Sequence, residues 1–460
     1  MSRRQLLLAI AVVLVELIGG MQVYLNQLIM PIMAADMGGG NYYGLIMGVG
    51  SVCSVVGLPV GAALLRRYHL PRLLLVLTLL LCAGAVTSAA APNIWVYLCG
   101  QAVRSFVGAC LGMTSAGAIA LGLSGKARRL TLAFASASWI VSSVVGPTYA
   151  AWVTDLFSWR WAMLMYLPFL VAARFVIALN LKLEPKGEKS PIPFGSVLLI
   201  TVGVSLTIVP LSGVPGRLTM LVGVLVLARV VTLLLPVGTF TTDDVRRRAL
   251  AVMFFLTGSY FAANELVSLT YHDLFGATAD RLGLALLAGG LAWAVVGVIC
   301  GARPAKDYAR YRWRAGTGIL LIAVCLAFVA ALTLSGASPP VAGGLILVLW
   351  TLAGCGMGLA YLDTLSLLFE EPRRDDGLTL EEMAGASVIV ESLASTMFVP
   401  LVSSLVASAF TAGDPAPSPV PYGLSWALAA VAAAVALAYL LFSGRGLAGT
   451  AAPLPPANAD

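Results

Sequence analysis

The chain is a succession of apolar runs, each long enough to cross a bilayer, joined by short loops. Nothing constrains its fold more. The lipid core offers no water to backbone N–H and C=O groups, so a spanning segment satisfies them within itself, as a helix does. A helical span needs about 20 mostly apolar residues. On that rule fourteen are expected, near 5–34, 42–65, 70–91, 94–123, 130–156, 159–182, 194–214, 217–237, 248–276, 279–301, 314–335, 339–369, 379–411 and 421–443. With 60% hydrophobic and 11% charged residues among 460, the chain could not hide its apolar surface in a soluble core. The expected fold is therefore an all-α integral membrane bundle of fourteen helices. The opening, MSRRQLLLAIAVVL, resembles a signal peptide, but its apolar run continues to Ala34 through Glu16, so an uncleaved first helix is expected. Residues 444–460 have too little to bury and are expected to form a disordered cytoplasmic tail.

Basic residues test the count. With fourteen spans, 22 of the 28 Lys and Arg fall on one side, among them Arg3, Arg4, Arg66, Arg67, Arg246, Arg247, Arg248, Arg373 and Arg374. Arg160, Arg217 and Arg281 fall on the other, and Arg104, Arg174 and Arg229 lie within spans. The asymmetry predicts a multi-pass protein of the cell (inner) membrane with both termini in the cytoplasm. The net charge of +7 is then a topology signal, with no nucleic-acid partner implied. The seven cysteines sit in apolar stretches without C-x-x-C spacing and read as small buried hydrophobes. The two histidines, His69 and His272, leave little for a metal site or histidine chemistry. No cofactor, metal or enzymatic activity is expected. The segments 183–193, 238–247 and 302–313 read as linkers, and Glu370, Glu371, Arg373, Arg374, Asp375 and Asp376 as a solvated charge cluster.

Polar residues inside the spans are the functional candidates, because an ionisable group in the membrane is costly and by default marks a pathway or relay. Residues 14–31 read LVELIGGMQVYLNQLIMP. At 100° per residue, Gln22, Asn26 and Gln27 lie at about 240°, 280° and 20° from Glu16, inside one arc of about 140°. Leu14, Leu17, Ile18, Met21, Leu25 and Leu28 fill the opposite arc. This polar stripe is expected to face a wet cavity or partner helices, with Gln22, Asn26 and Gln27 lining it. Glu265, Glu391 and Asp363 are the other acids within spans, Asp363 near the cytoplasmic end as a hydrated gate residue. Arg104 is the cation deep in the N-terminal half, where it must be paired; Arg174 and Arg229 read as snorkelling or helix-packing residues.

The chain also carries signs of duplication. Gly108 and Gly112 in the fourth span and Gly354 and Gly358 in the twelfth are small-x-x-x-small packing signals eight spans apart. Basic loops follow spans 2 and 10 alike. The expected organisation is a six-helix half over 1–182, a linker and inserted helix pair over 183–247, and a second six-helix half over 248–443. Homologous halves place Glu265 about as far into its helix as Gln22 is into the first.

Residues 146–168, GPTYAAWVTDLFSWRWAMLMYLP, hold Gly146-Pro147 followed by Ala150-Ala151, then Trp159-Arg160-Trp161 and Pro168. Arg104 stands four residues before Gly108, and LLAGGLAW and GMGLAY recur in the C-terminal half. Together these resemble the major facilitator superfamily, most closely its fourteen-span drug:proton antiporter branch. The resemblance implies that Gly146 and Pro147 form the fifth-helix antiporter motif, that Arg104 assists proton coupling, and that Gly61 and Arg66 belong to a loop motif that latches conformational switching. Two departures stand out. Leu65 occupies the Asp place of the loop motif, and Gln22 occupies the place of the family's first-helix acid. Coupling would then rest on Glu16 or Glu265. The expected function is export of small amphipathic molecules in exchange for protons by alternating access. The alternative is a proton-independent facilitator or lipid-type transporter of the same fold. Expected partners are a small-molecule substrate, protons and the lipid bilayer, with the protein a monomer.

Overall fold

A computed structural model describes residues 3–122, 125–180, 194–208, 213–242, 244–303, 305, 307–336, 338–369, 377–378, 380–410 and 417–442. The expected linker 183–193, the charge cluster from Glu370 to Asp376 and the tail 444–460 lie outside these residues. Among the described residues there is no strand. The helices are α1 (Arg3–Asp36), α2 (Tyr43–Arg67), α3 (Leu70–Ala89), α4 (Ile94–Gly122), α5 (Gly125–Leu156), α6 (Trp159–Ala162), α7 (Leu167–Asn180), α8 (Phe194–Ile208), α9 (Gly213–Leu234), α10 (Val245–Leu269), α11 (Ala279–Ala302), α12 (Tyr308–Leu334), α13 (Pro339–Leu367), α14 (Leu380–Ala407) and α15 (Pro419–Phe442).

Every stretch expected to span contains helix, and among the described residues eleven helical segments are long and apolar enough to cross a membrane. The other three are α5, many of whose side chains lie outside the described residues, and α8 and α9, whose apolar parts are only Val197–Ile208 and Leu218–Leu234. Proline explains much of this. Pro215 falls in the first turn of α9, and the sixth span turns between α6 and α7 ahead of Pro168, which has no N–H to donate. Elsewhere the ends are capped by short local chemistry. Asp244 accepts from the Arg247 N–H at the start of α10, and Asp307 from the Arg310 N–H at the start of α12. Gly38 and Gly336 take φ of 64° and 68° just beyond α1 and α12, a left-handed turn that other residues resist. Hydroxyls within helices bond back to the preceding turn, as Thr78 does to the Leu74 carbonyl, so they enter lipid already satisfied.

The chain divides into two compact units, Met1–Ser205 with Ala277–Leu287, and Leu206–Gly276 with Ala288–Asp460. The division falls inside α8, so α8 lies mostly in the first unit and α9 in the second. In the first, α1 packs along α5 and against α7, α2 lies along α4, and α3 packs on α4 and α7. In the second, α10 packs against α14 and α15, and α12 against α13 and α15. The same pairing order thus recurs. Leu79, Phe169 and Phe328 are among many large apolar side chains pointing outward, as side chains destined for lipid must. Helix α10 differs. It is buried along nearly its whole length, Ala249 to Leu269, and is the inner helix of its unit.

Small residues set the closest approaches, though not all where the sequence suggests. On α13, a Cβ added at Gly354 would run into the Gly289 carbonyl oxygen, and one at Gly358 would meet the Trp293 carbonyl oxygen at 2.8 Å. On α4, by contrast, no described atom lies within 4 Å of a Cβ built at Gly108 or Gly112. The α2–α4 contact is made instead by Gly57 and Gly61 of α2, where a Cβ would meet the Phe106 carbonyl oxygen at 2.4 Å and Cys110 Cα at 2.6 Å. The small residues of this pair come from α2, and α4 contributes backbone. Gly61→Val is therefore expected to destabilise by about 1–3 kcal/mol through overpacking, and Gly108→Ala to stay within about 0.5 kcal/mol of wild type. Thermal unfolding in detergent compares them, and equal melting temperatures would contradict this packing.

Candidate functional site

Each unit carries its own polar constellation. In the first unit the buried side of α1 is apolar, with Ile18, Leu25 and Leu28 packed inward. Its polar arc is the open side. Val23, within that arc, is 43% exposed, nothing described lies within 4 Å of a Cβ at Gly19, and Glu16, Gln22, Asn26 and Gln27 are half-buried. Arg104 of α4 is only 5% exposed and reaches this stripe. Its Nη2 donates to Asn26 Oδ1 at 3.1 Å and its Nη1 to Gln101 Oε1 at 3.1 Å. Among the described residues no carboxylate forms an ion pair with it; two of its N–H groups are met by amides, and Tyr166 lies beside it. Glu16 lies in the electrostatic field of Arg174, which is buried at 6% exposure rather than snorkelling. Arg229 does sit at the surface, bonded to the Thr232 hydroxyl at 3.1 Å.

The Gly146-Pro147 segment works by close approach. A Cβ at Gly146 would lie 3.0 Å from Tyr24 Cβ and 3.2 Å from Met21 Cα, so the glycine admits α1 against α5. One turn on, Gly283 of the first turns of α11 fits against Ala151 and the Pro147 carbonyl oxygen, with a built Cβ at 2.8 Å and 3.1 Å. Trp159 and Arg160 form a clamp that the sequence shows only as a motif. Trp159 Nε1 and Arg160 Nη1 both donate to Asp36 Oδ2, at 3.1 Å and 2.7 Å, and the guanidinium stacks 4.3 Å from the Trp159 ring. This joins the end of α1 to α6. Gly61 makes the α2–α4 approach described above, and the Arg66 side chain lies outside the described residues.

In the second unit Glu265 sits on the inner helix α10 at 2% exposure, and its Oε1 has no hydrogen-bond partner. Glu391 of α14 is half-buried and accepts the Tyr361 O–H of α13 at 2.7 Å. Tyr361 begins a file of aromatic rings. It meets Trp293 edge-on at 5.5 Å between centroids, Trp293 meets Tyr260 at 5.3 Å, and Tyr260 stacks on Trp350 at 4.9 Å. Sequence reasoning missed this file, although LLAGGLAW and GMGLAY end on two of its members, Trp293 and Tyr361. Asp363, expected as a hydrated gate residue, is instead buried at 5% exposure and paired with Arg314 of α12, whose Nη1 also donates to the Arg303 carbonyl at 2.6 Å. Among the described residues no cluster of side chains could hold a metal ion.

Buried and half-buried acids and amides in these placements sit among apolar and aromatic side chains. Comparison with known proteins decides the family: the sequence profile of the Major Facilitator Superfamily matches residues 12–377. The chain belongs to the major facilitator superfamily. It is a multi-pass membrane protein of a transporter family, and not an enzyme. A major facilitator relative from Mycobacterium tuberculosis, described as a probable multidrug-efflux transporter, is 26% identical over 439 residues, 87% of this chain and 85% of its own. The acurin A biosynthesis cluster MFS-type transporter of Aspergillus aculeatus is 24% identical over 190 residues, 40% of this chain and 34% of its own. A multidrug resistance protein B homolog of Mycobacterium tuberculosis is 25% identical over 154 residues, 34% of this chain and 28% of its own. The last two matches span about a third of those relatives. Solved structures share the major facilitator fold. A POT family transporter in complex with 5-aminolevulinic acid aligns with a TM-score of 0.65 at 14% identity, over 95% of this chain and 96% of that one. The human organic anion transporter MFSD10 aligns at 0.56 and 15% identity, over 95% and 99%.

Proposed function

We propose that this major facilitator protein exports small amphipathic molecules, drugs or metabolites, from the cytoplasm in exchange for protons, by alternating access. The reading takes all fourteen helical stretches as crossings. It sets two six-helix halves (1–182 and 248–443) about an inserted pair (183–247), and places both termini in the cytoplasm of a monomer in the cell membrane. The basic asymmetry of the loops and the recurring pairing order of the two units support it. Multidrug-efflux relatives at low identity support the cargo class.

The observation that carries the proposal is Glu265. An ionised carboxylate is expensive to bury without a partner, so this side chain calls for a proton or a cation at the centre of its unit. Glu391 with Tyr361 and the aromatic file offers a second acid beside π faces, a surface suited to amphipathic cations. Glu16, Gln22, Asn26 and Gln27 line the first unit's path, and Arg104 holds the stripe in place through Asn26. Asp363 with Arg314 is read as a gate latch. Gly146 and Pro147 set the bend and fit of α5. Uptake of a fluorescent lipophilic cation into inside-out vesicles, with and without a protonophore, tests the proposal. Proton-driven accumulation is expected, and its collapse on adding the protonophore. Accumulation that ignores the proton gradient would select the facilitator or lipid-type alternative, which Gln22 and Leu65 favour by removing acids from two places where the family carries them. Tyr361→Phe, which deletes the bond to Glu391, is expected to weaken binding of the same cation by about 1.5–3 kcal/mol, measured by equilibrium binding in detergent. Unchanged affinity would remove Glu391 and Tyr361 from the cargo path.

A further inference from the structure

The far end of α10 from its arginines carries a cluster that the transport reading leaves unused. There the helix widens into a π-helical turn, Thr270–Leu274, a departure that recurs at functional sites because it re-aims side chains. His272 Nδ1 lies 2.7 Å from Asp273 Oδ1, and the Tyr422 O–H of α15 donates to Asp273 Oδ2. The Asp273 side chain is 4% exposed and the His272 side chain 21%. The turn is pinned from two sides, by Trp426 Nε1 donating to the Thr270 hydroxyl at 3.0 Å and by the Tyr271 O–H donating to the Gly343 carbonyl of α13. The neighbouring helices bring little else that ionises. Over Pro339–Trp350 of α13 and Ser392–Ala407 of α14 no side chain is titratable, and α15 supplies Tyr422.

We propose that His272, Asp273 and Tyr422 form a proton-exchange site that loads and unloads Glu265. This rests on the reading of Glu265 as the proton carrier. Imidazole is the side chain that takes up and gives off protons between pH 5 and 8. With Nδ1 committed to Asp273, exchange with water falls to Nε2. A proton accepted from water at Nε2 gives an imidazolium held by the Asp273 carboxylate through Nδ1–H, and the Nε2 proton then passes to the hydroxyl and water chain toward Glu265, so one proton moves inward and the neutral imidazole is restored with its Nδ1–H still on Asp273. Tyr422 fixes the carboxylate so that the imidazole keeps one orientation. The route onward is set by helix spacing. Glu265 and Ser268 stand at i and i+3 on one face of α10, and His272 follows in the π-helical turn, no more than about 10 Å from Glu265 by helix rise. Ser268 is fully buried midway. One or two water molecules held by such hydroxyls span the remaining gaps. A buried helix with no other function for these groups has no reason to carry an acid, two hydroxyls, an imidazole and a second acid on its last three turns.

The test uses the full chain in lipid nanodiscs and infrared spectroscopy after a pH jump. The Glu265 carboxyl band is identified by its loss in Glu265→Gln. In His272→Gln the rate at which that band responds is expected to fall roughly a hundredfold, the usual worth of a positioned proton-transfer group, and to recover when free imidazole is added. Tyr422→Phe, which keeps the ring and its packing, is expected to slow the response less. An unslowed band in His272→Gln, or a slowing that imidazole does not relieve, would overturn the proposal. A carboxyl band that never titrates in the wild type would instead overturn the role of Glu265 itself. The two failures are therefore distinct.

Discussion

Glu265→Gln is expected to abolish proton-driven accumulation of a lipophilic cation in inside-out vesicles, down to the level of vesicles without the protein. The substitution changes one atom type and almost no volume. It leaves α10 packed as before against α14 and α15, and it removes a group whose Oε1 has no partner. Stability should therefore hold or rise, because a neutral amide is cheaper to bury than a carboxylate. Loss of transport with an unchanged or higher Tm separates a coupling role from a structural one. Glu265→Asp keeps the carboxyl on a shorter stem and should retain part of the activity. If Glu265→Gln transports at the wild-type rate with the gradient imposed, the proton is carried elsewhere, and Glu16 becomes the residue to replace. If transport and Tm fall together, Glu265 is a structural group that holds the helix in place.

The second large effect is on stability. Arg314→Ala leaves Asp363 buried at 5% exposure without its cation, and breaking a buried pair from one side costs about 3–5 kcal/mol. It also removes the donor to the Arg303 carbonyl, near the end of α11. Replacing both partners with leucine is expected to recover most of that loss, because the desolvation penalty disappears along with the attraction. Unfolding of the purified protein in detergent reads both variants. A double variant as unstable as the single one would mean that the geometry of the pair, and not its charge balance, holds α12 to α13.

The two outcomes bear on how much could be read without coordinates. Helix positions were legible because lipid imposes a minimum apolar length. Prolines blurred α8 and α9, whose apolar parts fall short of that length. The stripe on α1 followed from angular spacing alone. Its anchor did not, since Arg104 reaches Asn26 across 78 residues of sequence and nothing local announces the pairing. The same holds for the aromatic file, whose members come from α10, α11 and α13 and share no pattern within any one of them. Small-residue spacing identified a real contact at Gly354 and Gly358 but an open surface at Gly108 and Gly112. Two glycines four apart show that a helix is able to approach another, and only the partner decides whether it does. The resemblance to a known family singled out Gly146-Pro147, and the structure shows what Gly146 packs against.

The contact between α2 and α4 has a mechanical side. At Gly57 and Gly61 backbone lies directly on backbone, with no side chain between them to change rotamer and take up a displacement. A contact of that kind has one good register. The two helices form a stiff lever, and whatever swings the loop after α2 swings α4 by the same angle, carrying Arg104 and the amide it holds on α1. A spin label on each helix would show a distance that stays narrow while distances to other helices broaden.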